Sequence, residues 1–121
     1  MFAQNNYKEI IEEKLKIKEI GSKGNGPLQF NYPRDIFFDE KNEIILISEL
    51  WNNRIQIINS LNFEFINFID NNVCGSNENQ FYSPQGININ QNNQNILICN
   101  YENNRIKIYK NFSSNYEKIN F

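Results

Sequence analysis

Shifted by 51 positions, the chain matches itself without a gap from Gly24 to Ile57. Gly24 falls on Gly75, Phe30 on Phe81, Pro33 on Pro84 and Ile36 on Ile87. Further along, Ile45-Leu46-Ile47 falls on Ile96-Leu97-Ile98, Asn52-Asn53-Arg54-Ile55 on Asn103-Asn104-Arg105-Ile106, and Ile57 on Ile108. A register kept over that length means one structural unit built twice, and such units bury their apolar faces against each other. Each unit reads as four short strands. Pro33 sets the chain direction and, with no N–H to donate, suits the start of the first strand, expected over Asp35 to Asp39. Glu43 to Ser48 is a nearly continuous apolar run, as in a strand covered on both faces. Arg54 to Ile58 alternates and is expected to be half exposed, and Asn62 to Ile69 closes the unit.

The second unit repeats the pattern near Gln85 to Asn90, Asn95 to Asn100, Arg105 to Lys110 and Tyr116 to Phe121. Upstream, Leu15, Ile17 and Ile20 alternate before Gly21 like a closing strand, and Tyr7 to Ile11 reads as the strand before it. Over residues 5–13 an amphipathic helix competes, because Tyr7, Ile10, Ile11 and Leu15 also fit helical spacing. The chain therefore divides into residues 1–20 (closing strands of a preceding unit), 21–69 (first complete unit) and 70–121 (second unit).

Composition narrows the chemistry. There are 25 Asn and 20 Ile but no Thr, one Ala and one Val, and asparagines punctuate strand-like runs instead of forming one polar tract. With 12 basic and 14 acidic residues the formal charge is −2, so bulk electrostatic capture of nucleic acid is disfavoured. There is no histidine, which removes the commonest acid-base catalyst and metal ligand. The carboxylates Asp39, Glu40 and Glu43 fall opposite Asn90, Gln91 and Gln94, so they read as a solvated turn and not a calcium or acid-base site. Cys99 has no histidine to activate it, and the two cysteines, lacking a CxxC spacing, are expected to be buried free thiols. No catalytic residue, metal site or cofactor is expected. No apolar run approaches the roughly 18 residues of a membrane helix. The expectation is a cytoplasmic, non-membrane chain.

Gly24 to Phe30, Pro33, Ile45 to Ile47 and the Asn-x-Arg-Ile element at Asn52 to Ile55 and Asn103 to Ile106 resemble NHL repeats, over roughly Leu15 to Tyr109. That resemblance implies an all-β fold, a partial β-propeller of about two and a half four-stranded antiparallel blades. It also implies a structural role for the arginines at the seam between blades, Arg54 and Arg105, with Glu49 as the acidic partner five positions before the first. The second unit departs from the pattern, with neutral Asn100 where Glu49 stands. A planar guanidinium that bonds several carbonyls at once suits such a seam.

Strand direction alternates within a blade, so the loops before the first strand and between the second and third share one rim. That rim is expected to collect Lys23, Gln29, Asn52, Asn103 and the candidate ligand-binding residues Tyr32, Trp51, Tyr82 and Tyr101, with Arg34 at its edge. Aromatic residues on a rigid scaffold are the usual anchors of an interaction surface. The favoured function is a non-catalytic scaffold that binds a protein or peptide through this rim. The resemblance leaves open RNA binding, by base stacking on Trp51 and Tyr101, or a piece of a larger NHL protein such as a ubiquitin ligase. Self-association, or completion by further blades, is expected of the apolar blade faces.

Overall fold

The computed structural model describes residues 18–70, 74–77 and 80–110. Among them are nine strands: β1 (Ser22–Lys23), β2 (Gln29–Phe30), β3 (Pro33–Asp39), β4 (Ile44–Glu49), β5 (Arg54–Asn59), β6 (Phe65–Ile69), β7 (Pro84–Asn90), β8 (Asn95–Asn100) and β9 (Arg105–Tyr109). β3-β4-β5-β6 form a four-stranded sheet and β7-β8-β9 a three-stranded one, each a simple antiparallel meander. β1 and β2 make a two-residue parallel ladder that periodicity did not signal. The architecture is all-β, two successive blades of a β-propeller. The strands and helix alternatives expected within residues 1–17 and over Tyr116 to Phe121 lie outside the described residues. Lys18 to Ile20, the described part of the expected closing strand, is not in a strand. No helix among the described residues is long and apolar enough to cross a membrane.

The repeat is visible in backbone conformation as well as in sequence. Tyr32 and Ser83 have φ of 57° and 58°, Glu43 and Gln94 56° and 60°, and Asn53 and Asn104 50° and 54°. The left-handed region is costly for most side chains but tolerated by asparagine, which explains why Asn stands at the turn into β5 and at the turn into β9.

The core lies between the two sheets. Ile44 and Leu46 of β4, Ile55 and Ile57 of β5 and Ile69 of β6 meet Ile87 and Ile89 of β7 and Ile96 and Ile98 of β8, with Phe81 inserted from the connection. Alternation along each strand then defines two faces per blade. The first blade turns its rear face, carrying Phe37, Leu46 and Ile57, toward the front face of the second. Its own front face, with Ile36, Phe38, Ile45 and Ile47, points the other way; Ile36 and Phe38 are 64% and 57% exposed.

β5 corrects one expectation. Arg54 to Ile58 is fully buried instead of half exposed, because the polar members of the alternating pattern lie beneath the 24–30 segment and are satisfied there. The cysteines correct another: Cys74 and Cys99 are unpaired as expected, but both are exposed. Cys99 falls on the rear face of the second blade, opposite Ile106, and among the described residues that face has no covering sheet.

Candidate interaction site

The rim loops are held before any ring is considered. In the first blade Leu50 N–H donates to the Tyr32 carbonyl and Trp51 N–H to the Asn31 carbonyl, at 3.0 and 3.3 Å. In the second, Tyr101 N–H donates to Ser83 and Glu102 N–H to Tyr82, at 3.3 and 3.0 Å. The same pairing of loops thus occurs twice. A third tie crosses the blades, from the Ser83 N–H to Asn53 Oδ1 at 2.9 Å. The rim is therefore one scaffold and not two independent loops.

On this scaffold Tyr32 and Trp51 stack, with ring centroids 4.9 Å apart and planes 21° from parallel. Both remain open to solvent, 56% and 62% exposed. A groove of about 630 Å³ runs beside them, floored by Phe30 and Pro33 and edged by Ile20, Lys23 and Asn31. Tyr82 and Tyr101 are also exposed, on backbone-paired loops of the second blade. Tyr101 begins a 3₁₀ turn that ends at left-handed Asn104. Sequence reasoning named these four aromatics but not the groove, because the 18–23 stretch carries no signal of where it docks.

Arg34 is exposed on β3 and lines the front-face groove of the first blade, not the aromatic groove. Asn52 and Asn103 are corrected as rim contacts. Asn52 is buried and donates to the Gly24 carbonyl at 2.8 Å and to Glu49 at 2.7 Å. Asn103 makes the equivalent 2.7 Å bond to the Gly75 carbonyl. Each pins the glycine segment that enters its blade. At Gly24 φ is 157° and a Cβ would stand 2.4 Å from Gln29 Oε1, so a larger residue would have to displace that side chain.

Arg54 is 2% exposed and its Nε meets Glu49 at 2.7 Å. Its guanidinium also donates to the carbonyls of Asn25, Gly26 and Gln29, and stacks 3.9 Å from the Phe68 ring centroid. Gln56 completes the cluster, donating to Glu49 and to the Gln29 carbonyl. This is a closed hydrogen-bond network that ties the incoming segment onto the front face of the first blade. Arg105 differs. It is exposed, and among the described residues it donates only to the Ser76 carbonyl, at 2.8 Å. The expectation of equivalent seams for the two arginines is thereby corrected: Asn100 brings no charge to hold a guanidinium, and gives its Oδ1 to Tyr82 N–H instead.

The contacts that join the blades directly were not read from sequence. Asp70 Oδ2 accepts from Lys107 Nζ at 2.8 Å and from the Tyr109 hydroxyl at 3.2 Å. Asp35 Oδ2 accepts the Ile87 N–H at 2.9 Å, and Asn42 donates to Gln94 at 3.2 Å. Burial pushes the Asp70 carboxyl above its ordinary 3.8, against the opposing pull of Lys107 and Tyr109, and raises the Tyr109 hydroxyl well beyond its ordinary range. Lys107 carried a signal, since it occupies the repeat position of buried Gln56.

Compared with known families, residues 81–109 match the family model of the NHL repeat. No curated protein matches the chain significantly.

Proposed function

Proceeding from a chain that carries an NHL repeat, in an architecture of propeller blades, we propose that it is a non-catalytic interaction module that binds a protein or peptide on its aromatic rim. The observation that carries this reading is the exposed Tyr32–Trp51 stack beside its groove. Two large rings held by backbone bonds lose little conformational freedom on binding, which is what makes aromatic anchors effective. A formal charge of −2 and Glu102 in the rim weigh against RNA, whose phosphates need a positive surface. Tyr82 and Tyr101 extend the surface along the second blade.

Trp51 is the only tryptophan, so its fluorescence reports directly on this site. Peptides selected from a displayed library on the chain are expected to shift that emission on binding. Tyr32→Ala should weaken them by about tenfold or more while leaving the melting temperature within a few degrees, the scale of a hot-spot truncation. Selected peptides that leave the Trp51 emission unchanged and bind Tyr32→Ala equally well would refute the rim as the site. Binding of single-stranded RNA with a steep salt dependence, in place of any peptide, would assign the rim to nucleic acid instead.

A further inference from the structure

Each outer blade face leaves apolar side chains exposed among the described residues, Ile36 and Phe38 beside buried Ile47 on the front of the first blade and Ile106 and Ile108 on the rear of the second, and each face is the repeat counterpart of one that the internal seam already pairs. On the front of the first blade, Ile36, Phe38, Ile45 and Ile47 occupy the positions of Ile87, Ile89, Ile96 and Ile98, which are buried in the seam. A groove of about 470 Å³ opens there, lined by Phe30, the counterpart of buried Phe81. On the rear of the second blade, Leu97, Ile106 and Ile108 occupy the positions of Leu46, Ile55 and Ile57. Ile106 and Ile108 are 64% and 53% exposed where their counterparts are fully buried.

We propose that a second copy of this chain docks there head to tail, the rear of one copy's second blade on the front of the next copy's first blade. The internal seam supplies the template, and two of its polar contacts can be carried one repeat forward. Asn53 accepts the Ser83 N–H within the chain. Asn104 keeps the same left-handed conformation, as does Tyr32 at the Ser83 position, so Asn104 of one copy meets the Tyr32 N–H of the next. Asn42 donates to Gln94 within the chain; the translated pair is Asn93 with exposed Glu43, an amide on a carboxylate, which is the stronger bond.

The two contacts that do not carry forward are also not needed. Gly86 stands at the Asp35 position and offers no acceptor, but the Ile36 N–H that would need one is taken by its own Asp35 Oδ1 at 2.9 Å. Lys107 and Tyr109, which require Asp70 in the internal seam, are replaced on the front face by Gln56, already bonded within its own blade, and Ile58. Gln56 and Ile58 thus bring no charge to the translated contact, and Arg34, exposed in the front groove, can pack its stem while its guanidinium stays in water. Asn88 and Asn95 stand where the internal rear face has Phe37 and Ile44. The translated seam is thus the more polar of the two, so association is reversible and depends on concentration. Because the two surfaces differ, the contact is heterologous, and successive copies either close a ring or grow open-ended.

Light scattering after size exclusion, on the full 121-residue chain from about 1 to 100 μM, tests this in the affinity range of reversible contacts. The mass should exceed the 14.4 kDa of one chain and rise with concentration. Ile36→Lys spoils only the front face and Ile106→Lys only the rear; each alone should fall to the single-chain mass. Mixed in equal amounts they should give a species of twice that mass and nothing larger, since one intact pair of faces remains. Far-UV circular dichroism matching the parent chain checks folding, and Phe38→Lys with Ile108→Lys replaces any variant that fails it. A parent chain that stays single throughout, variants that still assemble alone, or a mixture that does not pair would each overturn the proposal.

Discussion

At the residue scale, two arginines in the same repeat position have different surroundings, and the difference lies in one neighbour. Glu49 pairs with Arg54 out of water, and the carbonyls of Asn25, Gly26 and Gln29 take up the remaining donors. Removing one member of a buried pair strands the other, a cost of about 3–5 kcal/mol. Arg54→Ala should therefore lower the unfolding free energy measured by urea titration by that amount, with the unpaired Glu49 as the cause; Arg54→Ala combined with Glu49→Gln should recover part of the loss. Arg105→Ala removes an exposed group and should cost less than about 0.5 kcal/mol, the usual range for such sites. Equal losses in the two single variants would show that Arg105 has a buried role. This asymmetry was legible in part, since Asn100 in place of Glu49 is plain in the sequence. What could not be read was that Asn52 and Asn103 turn inward to glycine carbonyls, because an amide serves equally well in a loop or in a buried bond.

At the scale of elements, the strands followed from the repeat and from the alternation of apolar residues. β3 to β5 and β7 to β9 fall within a residue or two of where the pattern places them, because Pro33, Pro84 and the Asn turns punctuate the chain locally. Burial was less legible. Period-two alternation says which side chains share a face, not whether something covers that face. The alternating strand from Arg54 to Ile58 is expected to be half exposed, yet its polar Gln56 is buried beneath the 24–30 segment beside the seam residue Arg54. Conversely, β9 has the same alternation and is open. Ile57 and Ile108 are repeat partners, fully buried in one blade and 53% exposed in the other. In dilute chain, Ile57→Ala should cost about 2–5 kcal/mol, as core truncations do, whereas Ile108→Ala should cost under about 1 kcal/mol. Urea titrations of both variants at low protein concentration measure the contrast; matching losses would mean that the rear face of the second blade is covered within a single chain.

At the scale of the whole molecule, one buried apolar cluster spans both sheets, taking Ile44, Leu46, Ile55, Ile57 and Ile69 from the first, Ile87, Ile89, Ile96 and Ile98 from the second, and Phe81 from the connection. The two sheets should therefore unfold in one transition, and anything that strains the seam should move that transition as a whole. Asp70 is the titratable group placed to do so. Its carboxyl is buried between blades, Oδ2 takes Lys107 and Tyr109, and Oδ1 has no partner among the described residues. Burial dominates, so the folded chain holds the Asp70 proton more tightly than the unfolded chain, in which the carboxyl titrates near its ordinary 3.8. The sign follows from linkage: the contribution is fully present below about 3.8 and is lost as pH rises through the higher folded value. Asp70→Asn keeps the shape and an acceptor for Tyr109 but cannot ionise. The urea midpoint of the parent chain, taken relative to Asp70→Asn, should therefore fall as pH is raised through the window above 3.8, with a single transition at every pH. A difference that rises with pH instead would show that the Lys107 ion pair outweighs the cost of burying the carboxylate.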